Sequence, residues 1–292
     1  MRGAPRPLLY YYSFMNLAKA ITMSRGRTGL VGKVSHGISH VGGTGHTAST
    51  AKLQVGQSSP AVKHAVDELH RALAGGPVVA GEYSVSEIIA QSVVAHRMWR
   101  EAFSKPRQER FIPVDGVRFM DGGDKIWLTL QISRATLRAR GRGVAETLRQ
   151  SGLETTFRAV NHADPAIAAD FHVLEQIDPI SYTGRAADVV VDAVNEVRPF
   201  LWQTITASPP YRRYYLYLSP PTERRMPQWL SVYSTFFWLG SLTRYQPVEL
   251  FEALDGKLGP FFREFLESQP KQLLYMLASD AKQQDVTRAA II

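Results

Sequence analysis

Residues 121–132 read DGGDKIWLTLQI, and this stretch decides the fold class. Residues 121–124 form a turn signal, because Gly and Asp tolerate the backbone angles of tight turns. Residues 126–132 are rich in β-branched, aromatic and other apolar residues bounded by that turn, which is typical of a strand. The middle of the chain is therefore predicted to contain a β-sheet.

Further strands are predicted on both sides of this one. The short extended stretches that indicate them are residues 110–113, 116–120, 155–161, 171–177 and 214–218. Helical segments are expected between them, at residues 144–150 and 186–205. Strands in this number and this close together indicate a sheet rather than an isolated hairpin.

Helical periodicity dominates the two ends of the chain. The segments with apolar residues at helical spacing are residues 7–24, 60–73, 84–103, 227–244, 247–254, 260–267 and 271–282. The order helices, strands, helices is typical of an α+β fold. We therefore predict a mainly helical bundle, made by residues 1–105 and 221–292 packing together, with residues 106–220 as a strand-rich insertion.

Residues 25–59 are rich in Gly, Ser, Thr and His and show little apolar periodicity, so they are predicted to form a long loop. The segment is not a phosphate-binding P-loop, because Arg27 stands where the first Gly is required and Val34 where Ser or Thr is required. His36, His40 and His46 lie close together in it. A solvated polar loop explains them better than a metal site, because no acidic residue completes a ligand set.

The composition points to a basic protein without thiol chemistry. The 292 residues include 34 Lys and Arg against 26 Asp and Glu, for a formal net charge of +8, and no Cys. The charge favours an anionic partner, and the missing Cys excludes disulfides, a thiolate nucleophile and a Cys-ligated zinc. No stretch reaches the roughly 18 apolar residues of a membrane span; residues 229–242 come nearest. We expect a cytoplasmic protein without a signal peptide, membrane contact, cofactor or metal.

Arginine clusters offer candidate ligand-binding residues. After the strand at 126–132, the basic run includes Arg138 and Arg142. Arg224 and Arg225 add charge near the tyrosines of residues 211–217. Arginines bind phosphates and tyrosines stack on unpaired bases, but a solvated basic face with tyrosines packed inward is the favoured alternative. No Gly-x-Ser-x-Gly elbow and no His-Glu-x-x-His motif is present.

The two ends of the chain carry a family resemblance. At the N-terminal end, residues 11–20 read YYSFMNLAKA and are followed by a basic segment that holds His36 and Gly37, and residues 86–89 read SEII. At the C-terminal end, residues 236–247 read FFWLGSLTRYQP, followed by FREFLE at residues 262–267 and by Pro270. These motifs resemble the YaaC-like proteins. The likeness covers most of the chain in order, and it is specific at the two ends. That family has no settled biochemical role, so the resemblance names relatives rather than an activity.

Residues 11–20 are also similar to the first helix of HEPN domains. These are all-α units common in bacterial toxin and antiviral systems, and many are ribonucleases. Their motif is an Arg, then four to six intervening residues, then a His, with His as acid or base and Arg on the phosphate; Arg158 and His162 are too close to fit it. None of the 8 His residues of this chain has Arg at that spacing. The resemblance therefore implies a diverged, non-catalytic relative.

The predicted function is that of a diverged HEPN-like bacterial protein that binds RNA or a nucleotide in a defence or stress system. Asn16, Lys19, His36 and Arg244 are predicted to form a polar cluster where the two chain ends meet, with Lys33 as a further ligand-binding residue. Each has a structural alternative. Asn16 and Lys19 suit a helix cap or a snorkelling side chain, and Arg244 suits the last turn of its helix.

Two other functions are open at this point. The first is a metal-independent ribonuclease with an atypical site, in which His36 is the acid or base and Arg244 or Lys33 binds the phosphate. The second is an interaction subunit of a larger complex. In that case the apolar helix at residues 229–242 contacts a protein partner, or a second copy of the chain, through the C-terminal helices.

Overall fold

The computed structural model describes residues 6–30, 34–42, 47–105, 108–197, 200–206, 212–221, 223–282 and 286. The chain divides into two compact units. The first is formed by Met1–Pro106 with Met226–Val286, and the second by Arg107–Arg225. The fold class is α+β, as predicted, with helices prominent at both ends of the chain and the longest strands in its middle.

The elements follow one another in three groups. The N-terminal group is α1 (Arg6–Ser24), β1 (Val34–Ser35), β2 (Ile38–His40), β3 (Lys52–Val55), β4 (Lys63–His64), α2 (Ala65–Ala74), β5 (Gly81–Ser84), α3 (Val85–Ala90) and α4 (His96–Ala102). The middle group is β6 (Phe111–Val114), β7 (Gly116–Asp121), β8 (Lys125–Ser133), α5 (Arg134–Ala139), α6 (Val144–Ser151), β9 (Phe157–Val160), α7 (Pro165–Asp170), β10 (Phe171–Gln176), β11 (Ile180–Ser181), α8 (Val190–Val197), β12 (Leu201–Ile205) and β13 (Arg212–Tyr217). The C-terminal group is α9 (Gln228–Tyr245), α10 (Pro247–Asp255) and α11 (Gly259–Lys282).

Helices from both ends of the chain share the core of the first unit. Helix α1 buries one face, whose members recur every three or four residues as a helix requires. The ring of Phe236 on α9 lies 5.5 Å from that of Phe14 on α1 and 4.9 Å from that of Phe265 on α11. These aromatic contacts join segments that are far apart in the sequence, so the two chain ends pack into one bundle.

Helix α9 is buried on almost all sides. Its residues from Gln228 to Gly240 are buried, as is Leu242, and a helix that is apolar all round belongs in a protein core. The segment at 229–242 therefore packs against its own chain and does not offer the exposed apolar face that the interaction-subunit alternative assigned to it. In the part of the chain that the structure describes, no helix is both long and apolar enough to cross a membrane.

The prediction of a loop at residues 25–59 was wrong where three short strands form. Strands β1, β2 and β3 lie within it, and β2, β3 and β5 form an antiparallel sheet. Strand β1 pairs with β4 in parallel. These strands have only 2, 3 and 4 residues, too few for a visible alternation. They form because more distant parts of the chain pair with them. His46, considered above for metal binding, lies outside the described residues.

Asp67 fixes the connections next to these strands. Its carboxylate is fully buried near the start of α2 and accepts hydrogen bonds from the backbone N–H of Ser58 and of Val78, each at 2.9 Å. Arg71, one turn later, donates from Nε at 2.8 Å. The backbone N–H of Val66 meets the carbonyl of His36 at 3.4 Å. Asp67 therefore holds the frame against which the segment carrying His36 is placed.

The second unit contains the predicted central strand. Strand β8 pairs antiparallel with β7, β10 and β11, and β9 extends the sheet beyond β10. The predicted turn precedes β8: Gly123 has a φ of 94°, and the carboxylate of Asp121 accepts its N–H at 2.8 Å. A second sheet has the order β12-β13-β6. The helix predicted at residues 186–205 is wrong at its end, because the chain forms β12 there and pairs with β13.

Helix α11 is longer than expected. The predicted helices at 260–267 and 271–282 are one continuous helix, Gly259–Lys282, with Pro270 inside it. Proline removes one helical hydrogen bond. Phe265 and Leu273, on either side of Pro270, are both fully buried, and keeping them in the core offsets that loss.

Candidate functional site

An open pocket lies on the first unit, where α1, the segment carrying β2 and the C-terminal half of α9 meet. Its volume is about 240 Å³. It is lined by Leu8, Tyr11, Tyr12, His36, Ile38, Ser39, His40, Phe237, Gly240, Ser241, Arg244 and Tyr245. The lining contains no acidic side chain, so its formal charge is positive.

The two helices place their side chains by helical spacing. Phe237, Gly240 and Arg244 follow one another at intervals of three and four residues, which puts them on one face of α9. Gly240 faces α1, and its position leaves room for no more than an ordinary van der Waals contact. A Cβ atom at that position would lie 3.4 Å from the Cβ of Tyr11 and 3.5 Å from the Cα of Leu8. The close contact brings the pocket-lining face of α9 directly beside α1.

Aromatic rings form the floor of the pocket. The rings of Tyr11 and Phe237 lie 5.5 Å apart with their planes at 73°, an edge-to-face arrangement. The imidazole of His36 lies 5.5 Å from the ring of Tyr11 and 6.5 Å from that of Phe237. The imidazole of His40 lies 5.6 Å from the ring of Phe237. Both histidines therefore border the same phenylalanine.

Arg244 presents its charge at the pocket mouth. Its side chain is exposed; Nη1 donates a hydrogen bond to the Tyr12 hydroxyl at 2.9 Å, and the guanidinium carbon lies 5.1 Å from the centre of the Tyr245 ring. Among the described residues, no carboxylate lies within ion-pairing distance of Arg244. The guanidinium is thus oriented by two tyrosines and retains donors for an anion.

The surroundings of His36 favour the neutral form of its imidazole. Burial lowers its pKa, and the positive charges of Lys19 and Arg244 lower it further. The ring nitrogen Nδ1 lies 3.0 Å from Sδ of Met15. The other ring nitrogen, Nε2, is not engaged by this contact. A neutral imidazole can accept a proton or a hydrogen bond there.

The structure brings together part of the predicted cluster. His36 and Arg244 line one pocket, and Lys19 acts electrostatically on His36. Asn16 is exposed on α1 and does not line the pocket. Lys33 lies outside the described residues.

The two other predicted ligand-binding arginines belong to the second unit. Arg138 is exposed on α5. Arg142 is half-buried and pairs with Glu146 at 2.5 Å, with a further hydrogen bond to Gln150 at 3.1 Å. Arg142 is therefore already committed to partners within its own unit, which favours a structural role for it.

Sequence reasoning missed the aromatic side of the pocket. Phe237, Tyr12 and Tyr245 were not among the predicted site residues, and His40 was interpreted as part of a solvated loop. The signal for Phe237 was present: it precedes Arg244 by seven residues, which is two helical turns. In the described part of the chain, no group of three or more His, Asp or Glu side chains could hold a metal ion.

These observations define the protein's class: an α+β protein of two units whose helical unit carries an aromatic, positively charged pocket. The family model of the YaaC-like proteins matches residues 3–281, nearly the whole chain, and the chain belongs to that family. No curated protein and no solved structure matches the chain.

Proposed function

We propose that this protein binds a nucleotide, or one nucleotide of an RNA strand, in the pocket of its first unit. The observation that supports the proposal best is the meeting of His36 and Arg244, from opposite ends of the chain, in an aromatic pocket without an acidic side chain. Arg244 would bind the phosphate, and the base would pack against Phe237.

The size and charge of the pocket support a small anion. Its volume of about 240 Å³ lies just below the roughly 300 Å³ at which pockets for drug-sized ligands begin. This space suits one base or one nucleotide, with the rest of an RNA strand outside. The net charge of +8 would attract such a polyanion at long range. A role in bacterial defence or stress, as a diverged HEPN-like protein, is part of this proposal and is supported by the resemblance of residues 11–20. Cytoplasmic location is also part of the proposal, and the absence of Cys fits it.

Fluorescence anisotropy with labelled oligouridine, and calorimetry with adenosine and uridine monophosphates, test the proposal. Arg244→Gln removes the charge at the pocket mouth. Hydrogen bonds to charged groups contribute about 1.5–3 kcal/mol, so we expect Kd to rise roughly 10- to 100-fold. Arg97→Gln is the matched control, because Arg97 is 78% exposed and pairs with Glu101 away from the pocket. Equal binding by the two variants would refute the assignment.

A second candidate function is a metal-independent ribonuclease. It is favoured by the neutral state of His36 next to Arg244, because a general base must be unprotonated and an arginine can stabilise a phosphorane-like transition state. Cleavage of RNA in the presence of a chelator, abolished by His36→Ala, would support it. Intact RNA with normal binding would leave the protein as a binding protein only.

A further inference from the structure

The aromatic surface of the pocket continues at its mouth with Tyr245. The side chain of Tyr245 is 69% exposed, and no large apolar side chain in the part of the chain that the structure describes has a higher exposed fraction. It lines the pocket together with Arg244, its neighbour in the sequence. A flat ligand group that extends out of the pocket can therefore cover this ring and remove it from water.

The backbone that carries Tyr245 is fixed on both sides. Tyr245 is the last residue of α9, and α10 begins at Pro247, whose ring restricts its own φ. Between them, the N–H of Gln246 donates to the carbonyl of Leu242 at 2.9 Å, and the carbonyl of Gln246 accepts the N–H of Leu250 at 3.1 Å. Because the connection is already ordered, a ligand that stacks on Tyr245 orders little additional backbone.

Three side chains of α9 follow one another from the inside of the pocket to its outside. Phe237 on the floor is only 8% exposed. Arg244 at the mouth is exposed, and its guanidinium carbon lies 5.1 Å from the centre of the Tyr245 ring. The order ring, cation, ring matches the order base, phosphate, base along a nucleic acid strand. Proteins that bind single strands combine cations for the backbone with aromatic rings for the bases in this way.

We propose that Tyr245 forms a second base-binding subsite and that the ligand is a single-stranded polynucleotide rather than a free nucleotide. One base packs against Phe237, the phosphate that links the two nucleotides binds Arg244, and the next base stacks on Tyr245. The pocket volume of about 240 Å³ holds one nucleotide, so the second base lies outside it. The inference rests on the proposed binding function, because the first base must occupy the pocket. Paired bases in a duplex cannot reach the two rings, so only unpaired strands fit.

Calorimetry with the full chain and three probes tests the Tyr245 subsite. The probes are adenosine monophosphate, the 5′-phosphorylated dinucleotide pApA, and an analogue of pApA in which the second sugar carries no base. The analogue keeps the second phosphate, so that its comparison with pApA isolates the second base. We expect pApA to bind roughly 5- to 150-fold more tightly than the analogue, the range that corresponds to stacking of one base on an aromatic ring.

Variants at Tyr245 assign this difference to the ring. Tyr245→Ala should abolish the difference in Kd between pApA and the analogue, whereas Tyr245→Phe should keep it, because a phenyl ring still stacks. Using the ratio of the two Kd values removes any effect of the substitution on the orientation of Arg244, since both probes depend on that side chain. Phe119→Ala is the matched control, because Phe119 is an aromatic residue of the second unit that is 40% exposed.

The possible outcomes separate this inference from the proposed function. Binding of adenosine monophosphate with equal affinities for pApA and the analogue overturns the Tyr245 subsite and leaves the proposed function intact. A Tyr245→Ala variant that keeps the full difference also overturns the subsite. If the wild-type chain binds none of the three probes, the proposed function is wrong and the subsite is wrong with it.

Discussion

Replacing Asp67 by alanine tests how the frame beneath the pocket is stabilised. The substitution removes the buried carboxylate that accepts the N–H groups of Ser58 and Val78 and pairs with Arg71. The N–H group of Val78 is then left without this acceptor in a buried site, and that of Ser58 in a half-buried one. We expect the first unit to lose stability and the second unit to keep its own.

The magnitude follows from the contacts. Leaving a buried donor unsatisfied costs about 1–3 kcal/mol; this applies in full to the N–H of Val78 and in part to the half-buried N–H of Ser58, so the two together account for roughly 2–4 kcal/mol. The side chain of Arg71 is 29% exposed, and water can replace part of its lost partner, so the ion pair adds little. A loss of about 3 kcal/mol is a large fraction of the stability of an ordinary domain.

The pH dependence gives the prediction a second, independent part. Burial raises the pKa of Asp67, but hydrogen bonds from Arg71, Ser58 and Val78 outweigh burial and hold the pKa below its usual value. A carboxylate with a lowered folded-state pKa stabilises the fold above the unfolded value of about 3.9. This stabilisation is lost as pH falls through the folded pKa. The difference in the free energy of unfolding between wild type and Asp67→Ala should therefore be largest near pH 7 and should become smaller below about pH 4.

Urea denaturation with hydrogen-exchange mass spectrometry measures the effect and assigns it to a unit. Peptides covering residues 52–80 should lose protection most. Glu101→Ala is the control. The side chain of Glu101 is 64% exposed and that of its ion-pair partner Arg97 is 78% exposed, so the loss of stability should stay within about 0.5 kcal/mol. A loss below 1 kcal/mol for Asp67→Ala, or one that does not change with pH, would refute the reasoning.

Three further predictions concern single groups. Gly240→Ala should raise the Tm of the first unit through about 0.5–1 kcal/mol of helix propensity, because the added Cβ makes only ordinary contacts, the nearest at 3.4 Å; a lower Tm would contradict this. Tyr217→Phe should destabilise the second unit by about 1–2 kcal/mol in calorimetry, since the buried Arg110 loses an acceptor at 2.9 Å; an unchanged transition would argue against it. Arg244→Gln should raise the pKa of His36 in an NMR titration, because that guanidinium charge lowers it; an unmoved titration would show that the charge does not reach the ring.

The central sheet could be predicted because its signals are local. The turn at residues 121–124 requires glycine, as the φ of 94° at Gly123 shows, and the strand after it is long enough to be recognised from composition. Strand β12 could not be predicted in this way. It is short, and its structure depends on pairing with β13.

The Pro270 region shows how tertiary packing overrides a local rule. Proline inside a helix costs a hydrogen bond and usually kinks or ends the helix. Here the apolar residues on both sides of Pro270 belong to the same buried face of α11. The length of the helix is thus decided by the core, and no window of sequence around Pro270 contains that information.

Part of the candidate site could be predicted from the sequence. His36 and Arg244 were proposed from a family resemblance at the two chain ends, and their meeting needs the packing of α1 on α9. His40 could not be distinguished from its neighbours, because its segment was interpreted as a solvated loop and its significance comes from the ring of Phe237 on a distant helix.

The discontinuous first unit has a consequence for synthesis on the ribosome. Helix α1 ends at Ser24, and its partner α9 begins only at Gln228. At about 5–20 residues per second, the nascent chain carries the apolar face of α1 for roughly 10–40 s before α9 emerges to cover it. The second unit, Arg107–Arg225, is translated as one uninterrupted segment during that interval. A ribosome stalled before residue 226 would therefore expose aromatic side chains that chaperones recognise.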